Sequence, residues 1–132
     1  MDLKGVELTW LGHAAVRLRS GDTVVYLDPW LAGNPACPES EHVPERVDAV
    51  YLTHGHFDHF GDTPALVERF DPQVFCIHEI AVYLEGRGAG NVVGCNKGGT
   101  ISGPGGIDAT FVDAVHSSGI SGDGGIVDGG DP

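Results

Sequence analysis

The sequence predicts an α/β fold, a mixed sheet with flanking helices. Three observations lead there. The first thirty residues alternate short β-rich runs with tight turns. The middle of the chain alternates apolar strand patterns with short amphipathic helix patterns. Hydrophobic residues make up 41% of the chain, enough for a packed core, and its 132 residues fit one domain, 1–132.

Taken in order, Val6 to Leu11, Val16 to Arg19 and Thr23 to Leu27 read as three short strands. Gly12-His13 and Ser20-Gly21-Asp22 separate them as turns, the second placed to close a hairpin. Asp28-Pro29 ends the third strand, and a loop rich in Pro, Gly and acidic residues runs from Trp30 to Arg46. Val47 to Thr53 is apolar and β-branched, as a buried strand should be, and delivers the chain to His54. Asp62 or Thr63 is placed to cap a helix with Pro64 in its first turn. Ala65, Leu66, Val67 and Phe70 form its apolar face, and Asp71-Pro72 stops it. Val74 to Ile77 is the next strand, Glu79 to Leu84 a short helix ended by Gly86, and Val92-Val93 and Ile107 to Val115 are further strands. The segment from Ser117 to Pro132 differs: it holds six glycines in sixteen residues, with Asp123, Asp128 and Asp131. It reads either as a flexible loop or as a connection into a further element.

Charge and cysteine content narrow the function. Seven Lys and Arg against 19 Asp and Glu leave a formal net charge of -12, which repels phosphate backbones and makes nucleic acid a poor partner. No basic segment followed by an apolar stretch opens the chain, and no apolar run has the length of a membrane span, so no membrane association is expected. Cys37, Cys76 and Cys95 are odd in number and form no C-x-x-C pair, which suits a reducing compartment and a cytoplasmic location. Cys76, inside Val74-Phe75-Cys76-Ile77, reads as a buried small hydrophobe.

The chemistry concentrates in His54-Gly55-His56-Phe57-Asp58-His59. Zinc and similar ions take imidazole nitrogens and carboxylate oxygens converging from a rigid base, here the end of a buried strand. In extended backbone His54 and His56 point to the same side and can share one ion. A turn beyond Phe57 brings Asp58 and His59 to a neighbouring position suited to a second. A His-rich surface loop is the plain alternative, but three of the seven histidines lie in this one loop at the mouth of an apolar strand. His13 sits in a turn after a strand, and Asp28, at a strand end, is either a local turn former or a residue facing the metal pocket. For Asp28 the pocket role would be a hydrogen bond to a ligand histidine. His42 reads as solvated loop and His78 as a strand-to-helix junction.

The motif, preceded by Leu52-Thr53, resembles the H-x-H-x-D-H pattern of the metallo-β-lactamase superfamily. Thr9-Trp10-Leu11-Gly12-His13-Ala14, Leu27-Asp28-Pro29-Trp30, Gly33-Asn34-Pro35, Gly61-Asp62-Thr63, Gly98-Gly99-Thr100 and Ala114-Val115-His116-Ser117-Ser118 resemble a family of small bacterial and archaeal metal-dependent hydrolases, similar to the ascorbate-phosphate lactonases. The resemblance implies that His54, His56 and His116 bind a first metal, with His116 at the end of a strand. It implies that Asp58 and His59 bind a second, Asp58 also acting in catalysis. It also places the turn at His13 close to the metal pocket, where that residue would face the substrate or support a ligand, with a plain turn histidine the alternative. The implied cofactor is Zn2+, two ions in the complete domain, with Mn2+ or Fe2+ tolerated. The implied reaction is attack by a metal-bound hydroxide, formed at a pH of about 7, on an ester, lactone, amide or phosphoester of a small molecule.

The superfamily pattern adds a bridging Asp and a further His on later strands, and both would follow Pro132. The expectation is therefore the first half of an αββα sandwich, truncated at its C-terminus, either as a fragment or complemented by another chain. Half of such a sandwich leaves an apolar sheet face that a second copy in a homo-oligomer could cover. The competing function is a degenerate metal-binding fragment without turnover. A diiron redox protein of the same superfamily is a further reading, though that branch tends to carry Glu where His56 stands.

Overall fold

Val6–Trp10 (β1), Val16–Ser20 (β2) and Thr23–Leu27 (β3) pair antiparallel as a meander. Ser20 lies opposite Thr23, so Gly21-Asp22 is a two-residue hairpin loop, with Gly21 supplying a φ of 57°. The structure, a computed structural model, describes residues 3–122 and 125–130; Asp123 and Asp131 of the Gly-rich segment lie outside them. Ala49–Tyr51 (β4) then pairs parallel to β3. A single helical turn, Phe57–Phe60 (α1), and the helix Thr63–Phe70 (α2) follow. Gln73–Ile77 (β5), the helix His78–Glu85 (α3) and Val92–Cys95 (β6) complete a six-stranded mixed sheet in the order β1 to β6, parallel from β3 onward.

Alternation along β3, β4 and β5 divides the core between two faces. Val24, Tyr26, Val50, Val74 and Cys76 turn to the side covered by the helices, where Phe60, Leu66, Ile80, Ala81 and Leu84 meet them. Val25, Ala49, Tyr51 and Phe75 turn to the other side. All nine sheet residues are buried, so both faces of the central strands are covered. On the second side Tyr51 stacks on Phe75 at 4.5 Å, and the hairpin of Thr100–Ser102 (β7) and Asp108–Thr110 (β8) contributes Ile101, Ile107, Ala109 and Phe111. Helices on one face, a mixed sheet, and the start of a second β layer on the other face make this the first half of an αββα arrangement.

Several elements differ from the sequence-based expectation. The strand expected over residues 107–115 is confined to Asp108–Thr110; residues 111–115 belong to no strand, and Val112 and Val115 are exposed. Phe111 still bonds Gly98 and Gly99 through its backbone, but no backbone partner is found for residues 112–115 among the described residues, and an apolar pattern alone does not hold a strand without one. The buried strand expected over residues 47–53 is a strand only over Ala49–Tyr51, with backbone bonds to the neighbouring strands continuing at Asp48 and Leu52. The Gly-rich segment is neither open loop nor plain connection: Gly119–Gly122 (β9) and Gly125–Asp128 (β10) form a hairpin. Ile120 of that hairpin is 1% exposed and joins the helix-side core. Burying such a side chain is worth about 1.5–3 kcal/mol. Asp62 precedes α2 without capping it through its side chain. Its carboxylate instead accepts the Leu31 and Ala32 amides at 2.6 and 3.3 Å. No helix among the described residues is long and apolar enough to cross a membrane.

Candidate metal centre

The chain leaves β4 through Leu52, whose amide still bonds Phe75 O at 3.0 Å, and so reaches His54 on a fixed base. His54 is buried, and its Nε2 lies 3.1 Å from His56 Nδ1. Two donors of one tetrahedral ion are separated by about 3.4 Å at ordinary zinc–nitrogen distances. His116 joins from the far end of the chain, its ring 4.7 Å from that of His54 and 5.0 Å from that of His56. The ligand atoms of these three histidines all lie within 4.8 Å of one another. In α1 the amides of His59 and Phe60 both bond His56 O, and this turn carries Asp58 and His59 to the other side of His54. There His13, Asp58 and His59 form a second group whose ligand atoms also lie within 4.8 Å. The two groups adjoin, with the His54 and His59 rings 4.0 Å apart. His42 and His78 belong to neither group. His42 is half-buried against Cys37 O at 3.1 Å rather than solvated, and His78 opens α3 at the strand-to-helix junction.

Asp28, 2% exposed, orients ligands of both groups. Its Oδ1 accepts the Thr53 amide at 2.8 Å, and its Oδ2 accepts Thr53 Oγ1–H at 2.6 Å and His59 Nδ1–H at 2.8 Å. A carboxylate only accepts, so the one hydroxyl proton of Thr53 goes to Asp28. Thr53 Oγ1 must then accept from His54 Nδ1, 2.9 Å away. Both imidazoles are thereby held with Nδ1 protonated and the Nε2 lone pair presented to an ion. Burial, with His59 and His56 beside it, pushes His54 down to about 4, so it is neutral at physiological pH, the form that ligates.

Long-range contacts fix the rest. Ser118, buried, accepts the Gly55 amide at 3.0 Å and donates to Gly129 O at 2.9 Å, tying the motif to the β9–β10 hairpin two residues beyond His116. Gly55 has no room for a side chain: a Cβ there would lie 2.6 Å from Ile120 Cγ1. On the other side, Gly12 at φ 96° and His13 at φ 51° form a left-handed turn packed on Asn34 and Ala36. Asn34 Nδ2 donates to Gly12 O and Trp30 O, each at 3.1 Å. A non-glycine residue in that conformation costs about 1–3 kcal/mol, and it persists only where its surroundings impose it. Thr53, Ser118 and Asn34 were not singled out by sequence reasoning, although each stands within or beside a motif. The donor set, imidazoles and one carboxylate in two convergent groups, fits divalent ions of the zinc class.

The fold and this paired donor set are those of a recurrent class of metalloprotein. The model of the metallo-beta-lactamase superfamily matches residues 8–132, and the chain belongs to that superfamily. Within it, the chain is similar to proteins named UPF0173 metal-dependent hydrolases. That of Koribacter versatilis is 46% identical over 132 residues, covering 99% of this chain and 56% of the relative. That of Methanopyrus kandleri is 45% identical over 129 residues, covering 96% and 54%. This chain thus spans about half the length of the curated relatives it matches. Among solved structures it is similar to Igni18, a metallo hydrolase from Ignicoccus hospitalis, with a TM-score of 0.75 and 31% identity, covering 92% of this chain and 52% of that one. It is also similar to CmlA, a diiron β-hydroxylase from Streptomyces venezuelae, with a TM-score of 0.59 and 27% identity, covering 74% and 22%.

Proposed function

We propose that this chain carries the metal-binding half of a metal-dependent hydrolase that cleaves an ester, lactone, amide or phosphoester bond in a small molecule. The observation that carries this reading is the pair of adjoining donor groups, His54–His56–His116 and His13–Asp58–His59, each tight enough for one ion. Zinc is the first candidate for such donors, with manganese or iron tolerated. When bound, the metal supplies a water acidified to near neutral pH and an electrophilic contact for the attacked oxygen.

The chain's own residues supply the remainder. Asp28 and Thr53 hold the imidazoles of His59 and His54 in the ligating tautomer. Asp58, half-buried within the second group, would orient the attacking water and take its proton. Phe57 and Trp30, in edge contact at 5.7 Å, set an apolar border that a small organic substrate can lie against. The net charge of -12 disfavours nucleic acid as a substrate. Three buried free cysteines are in keeping with a reducing, cytoplasmic setting. A second copy of the chain is the proposed cover for the exposed apolar residues at 112 and 115.

Metal content of the purified chain, measured beside hydrolysis of a panel of nitrophenyl esters, lactones and phosphoesters, tests the reading. Two ions per chain with turnover abolished in His54→Ala are expected. One ion and no turnover would leave a metal-binding unit without catalysis, and no bound ion would end the proposal.

A further inference from the structure

We propose that His13 is a direct ligand of the second metal ion, which gives this chain three donors of its own for that site. The inference rests on the metal-binding reading above. His13 Nε2 lies 3.4 Å from Asp58 Oδ2. That separation equals the edge of a zinc tetrahedron, about 3.4 Å, so one ion can touch both atoms. The His13 ring meets His59 edge-on at 4.9 Å, and the ligand atoms of His13, Asp58 and His59 converge within 4.8 Å.

The backbone is arranged for this presentation. His13 is one of four non-glycine residues with positive φ among the described residues. Its carbonyl accepts Trp10 Nε1–H at 2.9 Å, and its ring packs edge-on against Trp30 at 5.6 Å. The turn is closed by Ala15 N to Gly12 O at 3.0 Å and by Leu11 N to Ala15 O at 2.9 Å. A histidine needed only to form a turn would have no use for such a held orientation toward a carboxylate and a second imidazole. A simple pair between an imidazolium and a carboxylate is the competing account. It is disfavoured by His59, whose Nδ1 is engaged by Asp28, leaving Nε2 for an ion, and whose ligand atom converges with those of His13 and Asp58 within 4.8 Å.

The test is a cobalt(II) titration of the unaltered chain and of His13→Asn, followed by visible absorption and by metal per chain after equilibrium dialysis. Asparagine tolerates left-handed backbone, so the turn should survive the change. The unaltered chain should take two ions. The variant should keep the first ion with unchanged affinity and lose at least about tenfold on the second, with a weaker d–d spectrum for that ion. A second-ion affinity within about twofold of the parent would overturn the assignment, as would a parent that takes only one ion. Binding of no ion at all by the parent would remove the underlying metal reading as well. A measurement that does not depend on the variant is nitrogen-15 NMR of labelled histidines in the unaltered chain. The second equivalent of zinc should shift the Nε2 signals of His13 and His59 together; a stationary His13 signal would refute its ligand role.

Discussion

Asp28 has two carboxylate oxygens and meets three donors, the Thr53 amide, the Thr53 hydroxyl and His59 Nδ1. Because it holds His59 directly and His54 through the Thr53 hydroxyl, one change should disturb both donor groups. In Asp28→Asn, an NH2 group replaces an acceptor facing two donors. Such a mismatch in a buried network costs about 1–3 kcal/mol. Loss of an orienting partner of a ligand histidine typically costs about 10–100-fold in metal affinity. Competition with a chromophoric chelator should therefore show weaker binding of both ions, and denaturant unfolding of the metal-free variant should show a lower midpoint. Unchanged affinity for either ion would contradict the shared role. At this scale the donors of the central motif were readable in the sequence because four of them fall within six residues. Asn34 and Ser118 were not readable as positioning residues. Their partners are 22 and 63 residues away, and a polar side chain in a Gly-rich stretch carries no local sign of where it will be buried.

The elements that were legible are those with a period. β3 was expected and found at Thr23–Leu27, and the α2 pattern ends where Asp71 turns left-handed at φ 46°. α1 has only four residues and no side-chain cap, so its sequence carried no helical pattern to read. The β9–β10 hairpin escaped for a related reason: its order rests on Ile120 and on Ser118, not on an alternating run. Ser118→Ala isolates that dependence. It removes the acceptor of the buried Gly55 amide and the donor to Gly129 O, which should destabilise the chain by about 1–3 kcal/mol. Urea unfolding of the metal-free protein should report this loss. Affinity for the ion at His54, His56 and His116 should fall with it, since the segment leading from His116 into the hairpin loses its fastening. A variant with parental stability would show the hairpin held by Ile120 alone.

For the whole molecule the two faces of the sheet are unequal. The helix side is closed by α2 and α3, whereas among the described residues the opposite side is covered by the β7–β8 hairpin and the residues flanking it. Between this second face and the hairpin lies a cavity of ≈ 320 Å³ lined largely by apolar side chains, among them Leu18, Leu27, Ile107 and Phe111. Val112 and Val115 are 72% and 103% exposed close by. Apolar surface of this kind drives association. The chain alone should sediment as a dimer or larger species at micromolar concentration and bind a hydrophobic dye weakly in that state. A monomer that leaves the dye dark would show that this face needs no cover.

The bond from the Gly55 amide to Ser118 spans 63 residues. His54 and His56 follow directly from β4, whereas His116 belongs to the segment whose docking rests on this bond and on Ile120. The third donor of the first group is therefore fastened through the hairpin rather than through the sheet. An ion held by all three imidazoles would act as a clasp between the two, so that what loosens the hairpin loosens the ion, and what removes the ion frees the hairpin.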